Sequence, residues 1–170
     1  MKNKTVVILG SSRSFGNTRK VLDSLLSIRN DIDIIDLNKF DIGYFDYEFK
    51  NKNDDFLGLM EKVIAYDTIV FASPVYWYTM RAQLKTFFDR ISDLLTEGKK
   101  DIGRKLRGKN MAVISCSSDK ELINGFAIPF KKSADYLGMT YLGHLHTWLN
   151  EKKQLDDKVL RKLKLFSSKL

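Results

Sequence analysis

Cysteine and proline are scarce in this sequence, and their scarcity limits what kind of protein it encodes. The chain has one cysteine and two prolines among 170 residues. Cys116 has no second cysteine with which to form an internal disulfide, so the fold has to be stable without one. Two prolines and ten glycines argue against low-complexity or disordered tracts. Because the apolar run after the first four residues is too short for a signal peptide, the sequence predicts a cytoplasmic protein.

Long hydrophobic runs are also absent. No stretch approaches the roughly 20 apolar residues that a membrane helix requires, so no membrane is predicted as a partner. The overall composition, with 44% hydrophobic and 29% charged residues, is that of an ordinary globular protein. A single domain over residues 1–170 is the simplest organisation, since a chain of this length buries roughly 70% of its unfolded surface.

Acidic residues are outnumbered, which gives the chain a formal net charge of +8. A basic chain can bind nucleic acid, but no nucleic-acid module signature is present, and we predict no nucleic-acid partner. The basic residues concentrate in a glycine-containing connector at positions 99–109 and along the last predicted helix. We interpret both as solvated surfaces, and attraction of anionic small molecules to the connector is the alternative.

Hydrophobic periodicity predicts five strands that alternate with five helices. Short apolar runs indicate buried strands at Thr5–Leu9, Ile32–Leu37, Thr68–Ser73, Asn110–Cys116 and Thr140–His144. Helical spacing connects Val21, Leu22, Leu25 and Leu26, then Phe56, Met60, Val63 and Ile64, then Met80, Leu84, Phe87, Phe88, Ile91, Leu94 and Leu95. A fourth helix is predicted from Pro129 to Gly138, and a fifth from Asp156 onward. This alternation predicts an α/β fold, a doubly wound five-stranded parallel sheet in a three-layer αβα arrangement.

The segment from Gly10 to Thr18 lies between the first strand and the first helix and is rich in groups that bind anions. Helix N-termini present unpaired N–H groups, and the hydroxyls and the arginine of this segment add further donors. We therefore interpret it as a phosphate loop, and a turn capped by serine and asparagine is the alternative. Its spacing fits neither a Walker P-loop nor a dinucleotide fingerprint, because Asn17, Ser12 and Phe15 occupy positions where those motifs need lysine or glycine.

Two further segments follow strands in the way that binding loops do. In a doubly wound sheet, ligands bind beyond the carboxyl ends of the strands. The third strand is followed by Pro74 and by the aromatic residues Tyr76 to Tyr78, and the fourth by a small polar segment, Ser115 to Asp119. A phosphate loop, an aromatic loop and a polar loop together match the parts of FMN.

These motifs resemble the flavodoxin-like NAD(P)H-dependent FMN reductase family, close to its multimeric flavodoxin branch. The resemblance rests on GSSRSFGNT and on SPVYWYTMRAQLKTFFDR, and it extends over the whole chain. It implies that the FMN phosphate is held by Ser11, Arg13, Ser14, Phe15, Gly16, Asn17 and Thr18. It implies that the isoalloxazine ring is bordered by Pro74, Val75, Tyr76, Trp77 and Tyr78, with Ser117 and Ser118 at its far edge.

The same resemblance implies an enzyme rather than a passive protein. NAD(P)H would reduce FMN, and a small acceptor such as a flavin or quinone would then enter the vacated place, which is a ping-pong mechanism. It also implies a homodimer in which Trp77 and Tyr78 help to close the site. Relatives with an iron–sulfur cluster carry clustered cysteines before the second helix, but residues 41–49 contain none. The alternatives are a non-enzymatic electron carrier, which the positive charge disfavours, and a mononucleotide-binding regulatory domain.

Other reactive residue types have simpler interpretations. Cys116 lacks the arginine of a phosphatase loop, so we interpret it as a small buried hydrophobe. His144 and His146 point to one face of the fifth strand, and without a third ligand they predict structural groups rather than a metal site. A position for one of them at the rim of the nicotinamide pocket is the alternative. Asp89 and Arg90 at a helix end are either an ion pair with a neighbouring subunit or a local surface pair.

Overall fold

The strands form one sheet, in which the chain moves outward in one direction from the first strand and in the opposite direction from the third. The structure, a computed structural model, describes residues 3–96 and 98–170. The strands are β1 (Thr5–Leu9), β2 (Ile32–Asp36), β3 (Thr68–Tyr76), β4 (Thr79–Met80), β5 (Asn110–Ser117) and β6 (Thr140–Trp148). Five are parallel in the order β2-β1-β3-β5-β6, and β4 pairs antiparallel with the end of β3. The switch point therefore lies at the carboxyl ends of β1 and β3, where such sheets bind ligands.

Helices cover both faces of the sheet. They are α1 (Asn17–Ile28), α2 (Phe56–Val63), α3 (Ala82–Arg90), α4 (Lys100–Arg104), α5 (Ile128–Leu137) and α6 (Asp157–Ser167). Helices α1 and α6 pack on one face, and α2, α3 and α5 pack on the other. Successive strand residues point to opposite faces, so Val6 and Ile8 join one core while Val7 and Leu9 join the other. The predicted three-layer α/β fold is confirmed. None of the described helices is long and apolar enough to span a membrane.

Three strands run further than the sequence predicts, β5 by a single residue to Ser117. β3 continues past Ser73 to Tyr76, although Pro74 lies in its path and has no N–H to donate. β6 continues past His144 to Trp148, because Leu145 and Thr147 keep one face buried while the histidines face the other. β2 is one residue shorter than predicted, since Leu37 begins a 3₁₀ turn.

The third predicted helix is divided into three pieces. Met80 belongs to β4, α3 begins only at Ala82, and a 3₁₀ turn at Ile91–Leu95 follows α3. The basic connector at positions 99–109, which we interpret as a solvated surface, contains the short helix α4. Within α4, a Cβ at Gly103 would lie 2.7 Å from the Leu94 carbonyl oxygen, so the glycine allows α4 to pack against the 3₁₀ turn. The predicted stop at Gly138 is confirmed, with a left-handed φ of 69°.

Candidate functional site

The phosphate loop, residues 10–18, begins with a close backbone approach. The Gly10 N–H donates to the Ala72 carbonyl oxygen at 2.9 Å. A Cβ at Gly10 would lie 2.7 Å from the Leu84 Cβ, so no larger residue fits without a shift of α3. The loop is thereby held against the ends of β3 and α3, at the switch point of the sheet.

The helix that follows the phosphate loop begins without a side-chain cap. Its N-cap is Gly16, and no side chain accepts a hydrogen bond from the first-turn N–H groups. The N–H groups of Ser12, Arg13 and Ser14 also bond to no acceptor within the described residues. The alternative of a turn capped by serine and asparagine therefore does not describe this loop. The donor set fits an anion such as a phosphate.

The residues of the phosphate loop divide into a buried base and an exposed rim. Ser11, Gly16 and Thr18 are buried, and Ser14 is half-buried. The rim is exposed and consists of Ser12, Arg13, Phe15 and Asn17. Asn38, which sequence reasoning missed, donates to the Ser11 carbonyl oxygen at 2.8 Å. It follows β2, the strand beside β1, so only the strand order reveals that it supports this loop.

The aromatic segment forms a tight hairpin between β3 and β4. Tyr76 pairs with Thr79, and the two residues between them both have positive φ, 47° at Trp77 and 67° at Tyr78. Two-residue turns of this kind normally take Asn-Gly, because larger residues are strained there. The two side chains are 91% and 64% exposed. Ser12 Oγ donates to the Tyr76 hydroxyl at 3.2 Å, which brings the phosphate loop and the hairpin together.

The strain in this turn predicts that a substitution that relieves it will raise stability and lower activity. The free energy of unfolding of a Trp77→Asn/Tyr78→Gly double variant should be about 1 to 2 kcal/mol higher than that of the parent, because asparagine and glycine tolerate positive φ. Cofactor affinity and turnover should fall, since the family resemblance implies that these two aromatics border the cofactor ring. Urea denaturation measures the first effect, with Tyr78→Gly alone expected to give part of the gain. A double variant no more stable than the parent would contradict a strained turn.

The polar segment after β5 forms a compact turn next to the hairpin. Asp119 N–H donates to Ser117 Oγ at 3.0 Å, and the Ser117 hydroxyl is 2.8 Å from the Asp119 carbonyl oxygen. Strands β3 and β5 are neighbours, with Pro74 opposite Cys116. Pro74 is buried, Val75 is half-buried, and Ser118 is exposed. The three predicted segments thus lie at the carboxyl ends of β1, β3 and β5.

Both histidines share a buried serine as their hydrogen-bond partner. Ser115 Oγ lies 2.8 Å from His144 Nε2 and 2.8 Å from His146 Nδ1. Phe126 stacks on the His144 ring at a centroid distance of 5.3 Å. Burial, together with the neighbouring His146, lowers the pKa of His144 to about 4. The described residues contain no group of three or more potential metal ligands, and the histidines have structural partners.

The lowered pKa of His144 predicts a stability loss in mild acid. The unfolded chain binds a proton at this residue below about pH 6.5, whereas the folded chain does so only near pH 4. The free energy of unfolding should therefore decrease as the pH is lowered from about 6.5 to about 4, by up to about 1.4 kcal/mol per pH unit. A His144→Phe variant, which keeps a ring against Phe126, should lose this part of the pH dependence. Denaturant titrations at pH 4 to 7 give the unfolding free energy of the parent and of His144→Phe. The same pH dependence in both proteins would contradict a lowered pKa at His144.

Arg90 is neither a surface residue nor paired with Asp89. It is 2% exposed, and its guanidinium binds Asp54 and, at 2.8 Å, Asp93. It also donates to the Gly43 and Asn51 carbonyl oxygens. Asp89 is bound by Lys85 on the surface of the same helix. Both predicted alternatives for the pair are therefore wrong, because Arg90 clamps the irregular segment 41–55 onto the end of α3.

Cys116 belongs to β5 and is buried in the core that this strand shares with α1 and α6. Burial raises the pKa of its thiol to about 11, although Thr147 offers a hydrogen bond. The thiol therefore stays protonated near neutral pH and is a poor nucleophile. This agrees with the interpretation of Cys116 as a buried hydrophobe.

A parallel sheet of this order, with a phosphate-sized loop after β1, defines the flavodoxin-like class of α/β proteins. Residues 3–154 match the model of the NADPH-dependent FMN reductase family, and the chain belongs to that family. The chain is therefore an enzyme of the FMN-dependent NAD(P)H reductases, with FMN as cofactor and NAD(P)H as co-substrate.

Individual relatives agree with this family. A Bacillus subtilis protein whose name describes an NAD(P)H-dependent FMN-containing oxidoreductase is 28% identical over 151 residues, covering 84% of this chain and 83% of its own. An uncharacterized NAD(P)H oxidoreductase of the same organism is 30% identical over 155 residues, covering 84% of this chain and 73% of its own. The solved Trp repressor binding protein of B. subtilis has the same fold, with a TM-score of 0.77, 24% identity, and coverage of 96% and 97% of the two chains.

Proposed function

We propose that this chain holds FMN at the carboxyl ends of β1, β3 and β5 and reduces a small acceptor at the expense of NAD(P)H. The observation that carries the proposal is the hydrogen bond between Ser12 and Tyr76, which joins an uncapped helix N-terminus to an exposed aromatic turn. One part suits a phosphate and the other suits a flat ring. The bound cofactor supplies the redox chemistry, taking hydride from nicotinamide and delivering two electrons to the acceptor.

The side chains have separate roles in this proposal. The FMN phosphate is held by the phosphate loop, through Ser11, Ser14, Phe15, Gly16, Asn17 and Thr18. The planar guanidinium of Arg13 adds charged N–H donors to the free backbone N–H groups of the loop. The isoalloxazine ring is bordered by Pro74 and Val75 at the end of β3 and by the aromatic residues that follow them, Tyr76, Trp77 and Tyr78. Ser117 and Ser118 offer polar groups at the edge where negative charge develops on reduction. No side chain is required as an acid or a nucleophile.

The exposed aromatic turn supports a homodimer. Trp77 is 91% exposed, and a large aromatic side chain held in solvent by a strained turn is typical of a contact surface. We propose that a second copy of this chain covers the turn and helps to close the site. Analytical ultracentrifugation should show a dimer for the parent and a weakened one for the Trp77→Asn/Tyr78→Gly variant. A monomeric parent would reject this arrangement.

Alternation of substrates is the kinetic part of the proposal. A single aromatic-lined place admits nicotinamide and acceptor in turn, so double-reciprocal plots at several acceptor concentrations should be parallel. Menadione and free FMN are suitable acceptors for the measurement. Lines that intersect would show that both substrates bind together and would reject the ping-pong mechanism.

A further inference from the structure

A continuous line of hydrogen bonds runs beneath the turn that follows β5. Ser115 is fully buried, and its hydroxyl lies between His144 and His146 at 2.8 Å from each ring. On the far side, His146 Nε2 lies 2.9 Å from the carbonyl oxygen of Asp119. The line therefore links the interior of β5 and β6 to the turn formed by Ser117 to Asp119.

The chemistry of these groups fixes where the protons lie. A carbonyl oxygen can only accept, so His146 Nε2 carries the hydrogen that it donates to Asp119. In the neutral ring Nδ1 is then an acceptor, and the Ser115 hydroxyl donates to it. The Ser115 oxygen in turn accepts from His144, whose Nε2 must carry a hydrogen. One arrangement satisfies every member of the line.

The surroundings hold both rings in place. Phe126 stacks on His144 with an interplanar angle of 23°, and Trp148 lies beside His146 at a centroid distance of 6.2 Å. The rings line a cavity of about 530 Å³, which Lys120 of the turn and Lys162 of α6 also line. The stacked rings and the shared Ser115 hydroxyl therefore fix the orientation of both imidazoles.

We propose that His144, Ser115 and His146 are positioning residues that hold the Ser117–Asp119 turn in the shape that binds the cofactor ring. The inference rests on the proposed function, which places Ser117 and Ser118 at the ring edge. Ser115 does not touch the cofactor and acts through His146 and the turn. FMN affinity is therefore expected to fall when one member of this line loses its hydrogen-bonding group.

Cofactor binding tests this role. FMN titrations followed by flavin fluorescence should show about tenfold weaker binding for Ser115→Ala, the loss expected for a broken buried hydrogen bond. His146→Gln keeps a hydrogen-bond acceptor and a donor, so it should bind FMN more tightly than His146→Leu. Thr147→Val is the matched control. It removes another buried hydrogen bond, to the Ser115 carbonyl oxygen at 2.6 Å, and should bind FMN within about twofold of the parent. Equal affinity for Ser115→Ala and the parent would overturn the inference.

A second measurement separates this inference from the proposed function. Nitrogen NMR of the full chain without FMN should show both histidines as Nε2–H tautomers at neutral pH. A His146 found as the Nδ1–H tautomer would overturn the inference whether or not FMN binds. A parent chain that shows the expected tautomers but fails to bind FMN would instead reject the proposed function.

Discussion

An Arg90→Met variant is expected to lose about 3 to 5 kcal/mol of unfolding free energy, as happens when one partner of a buried ion pair is removed. Methionine fills much of the space of the arginine stem but leaves the carboxylates of Asp54 and Asp93 without their cation. The Gly43 and Asn51 carbonyl oxygens lose donors as well. Urea denaturation at pH 7 measures the loss.

The matched control lies on the same helix. Lys85 binds Asp89, but their side chains are 56% and 44% exposed, so Lys85→Met should cost no more than about 1 kcal/mol. Adding Asp54→Asn and Asp93→Asn to Arg90→Met should recover part of the loss, because the stranded charges are removed. An Arg90→Met variant as stable as Lys85→Met would contradict the clamp.

The pH range in which this clamp fails is distinct from the range in which His144 affects stability. Burial opposes ionisation of Asp54, but the Arg90 guanidinium and the N–H groups of Phe56 and Gly43 outweigh it and lower the pKa of this carboxyl from its usual 3.8. The stabilisation is therefore complete above about pH 4 and disappears as the pH falls through the folded-state pKa. The contribution of His144 changes between about pH 4 and 6.5, so the two can be measured separately.

Replacing Arg13 with alanine is expected to weaken FMN binding by roughly tenfold to a hundredfold, or about 1.5 to 3 kcal/mol. Arg13 is exposed on the rim of the phosphate loop, so its replacement removes the proposed phosphate contact without disturbing the core. Once FMN is saturating, turnover should stay near that of the parent, because the guanidinium takes no part in hydride transfer. Flavin fluorescence titration measures the affinity, and turnover is assayed at high FMN.

Two further variants define the Arg13 effect. Arg13→Lys should recover only part of the affinity, since an ammonium cannot present a planar fork of donors. Arg19→Ala removes the same charge nearby, but Arg19 Nε already binds Asp23 at 2.7 Å, so FMN affinity should change by less than about threefold. An Arg13→Ala variant that binds FMN as tightly as the parent would remove Arg13 from the site.

The sequence predicts the fold well because the signals of the fold are local. Continuous apolar runs locate β1 and β5 within one residue at either end, and the parallel order then requires the loops after β1, β3 and β5 to share one edge. The short strand β4 is too small to produce a periodic signal, and Pro74 is normally excluded from a central strand. These two features explain why the aromatic segment was predicted as a loop and is a hairpin.

The parts that sequence reasoning missed depend on contacts between distant residues. Arg90 is 36 positions from Asp54, and Ser115 is 29 and 31 positions from the two histidines. Each residue looks ordinary in its own segment, a charge at a helix end or a serine in a strand. Only the register that places β6 beside β5 shows that Ser115 faces His146.

The central claim is that this chain uses FMN to pass electrons from NAD(P)H to an acceptor, and rapid anaerobic mixing tests it most directly. The chain, reconstituted with FMN and desalted, should keep its yellow absorption and bleach when mixed with NADH or NADPH. Bleaching should be at least as fast as steady-state turnover with the same nucleotide, because reduction is a step of the cycle. Bleaching far slower than turnover would contradict the account. No bleaching with either nucleotide would point instead to an electron carrier that exchanges electrons with protein partners.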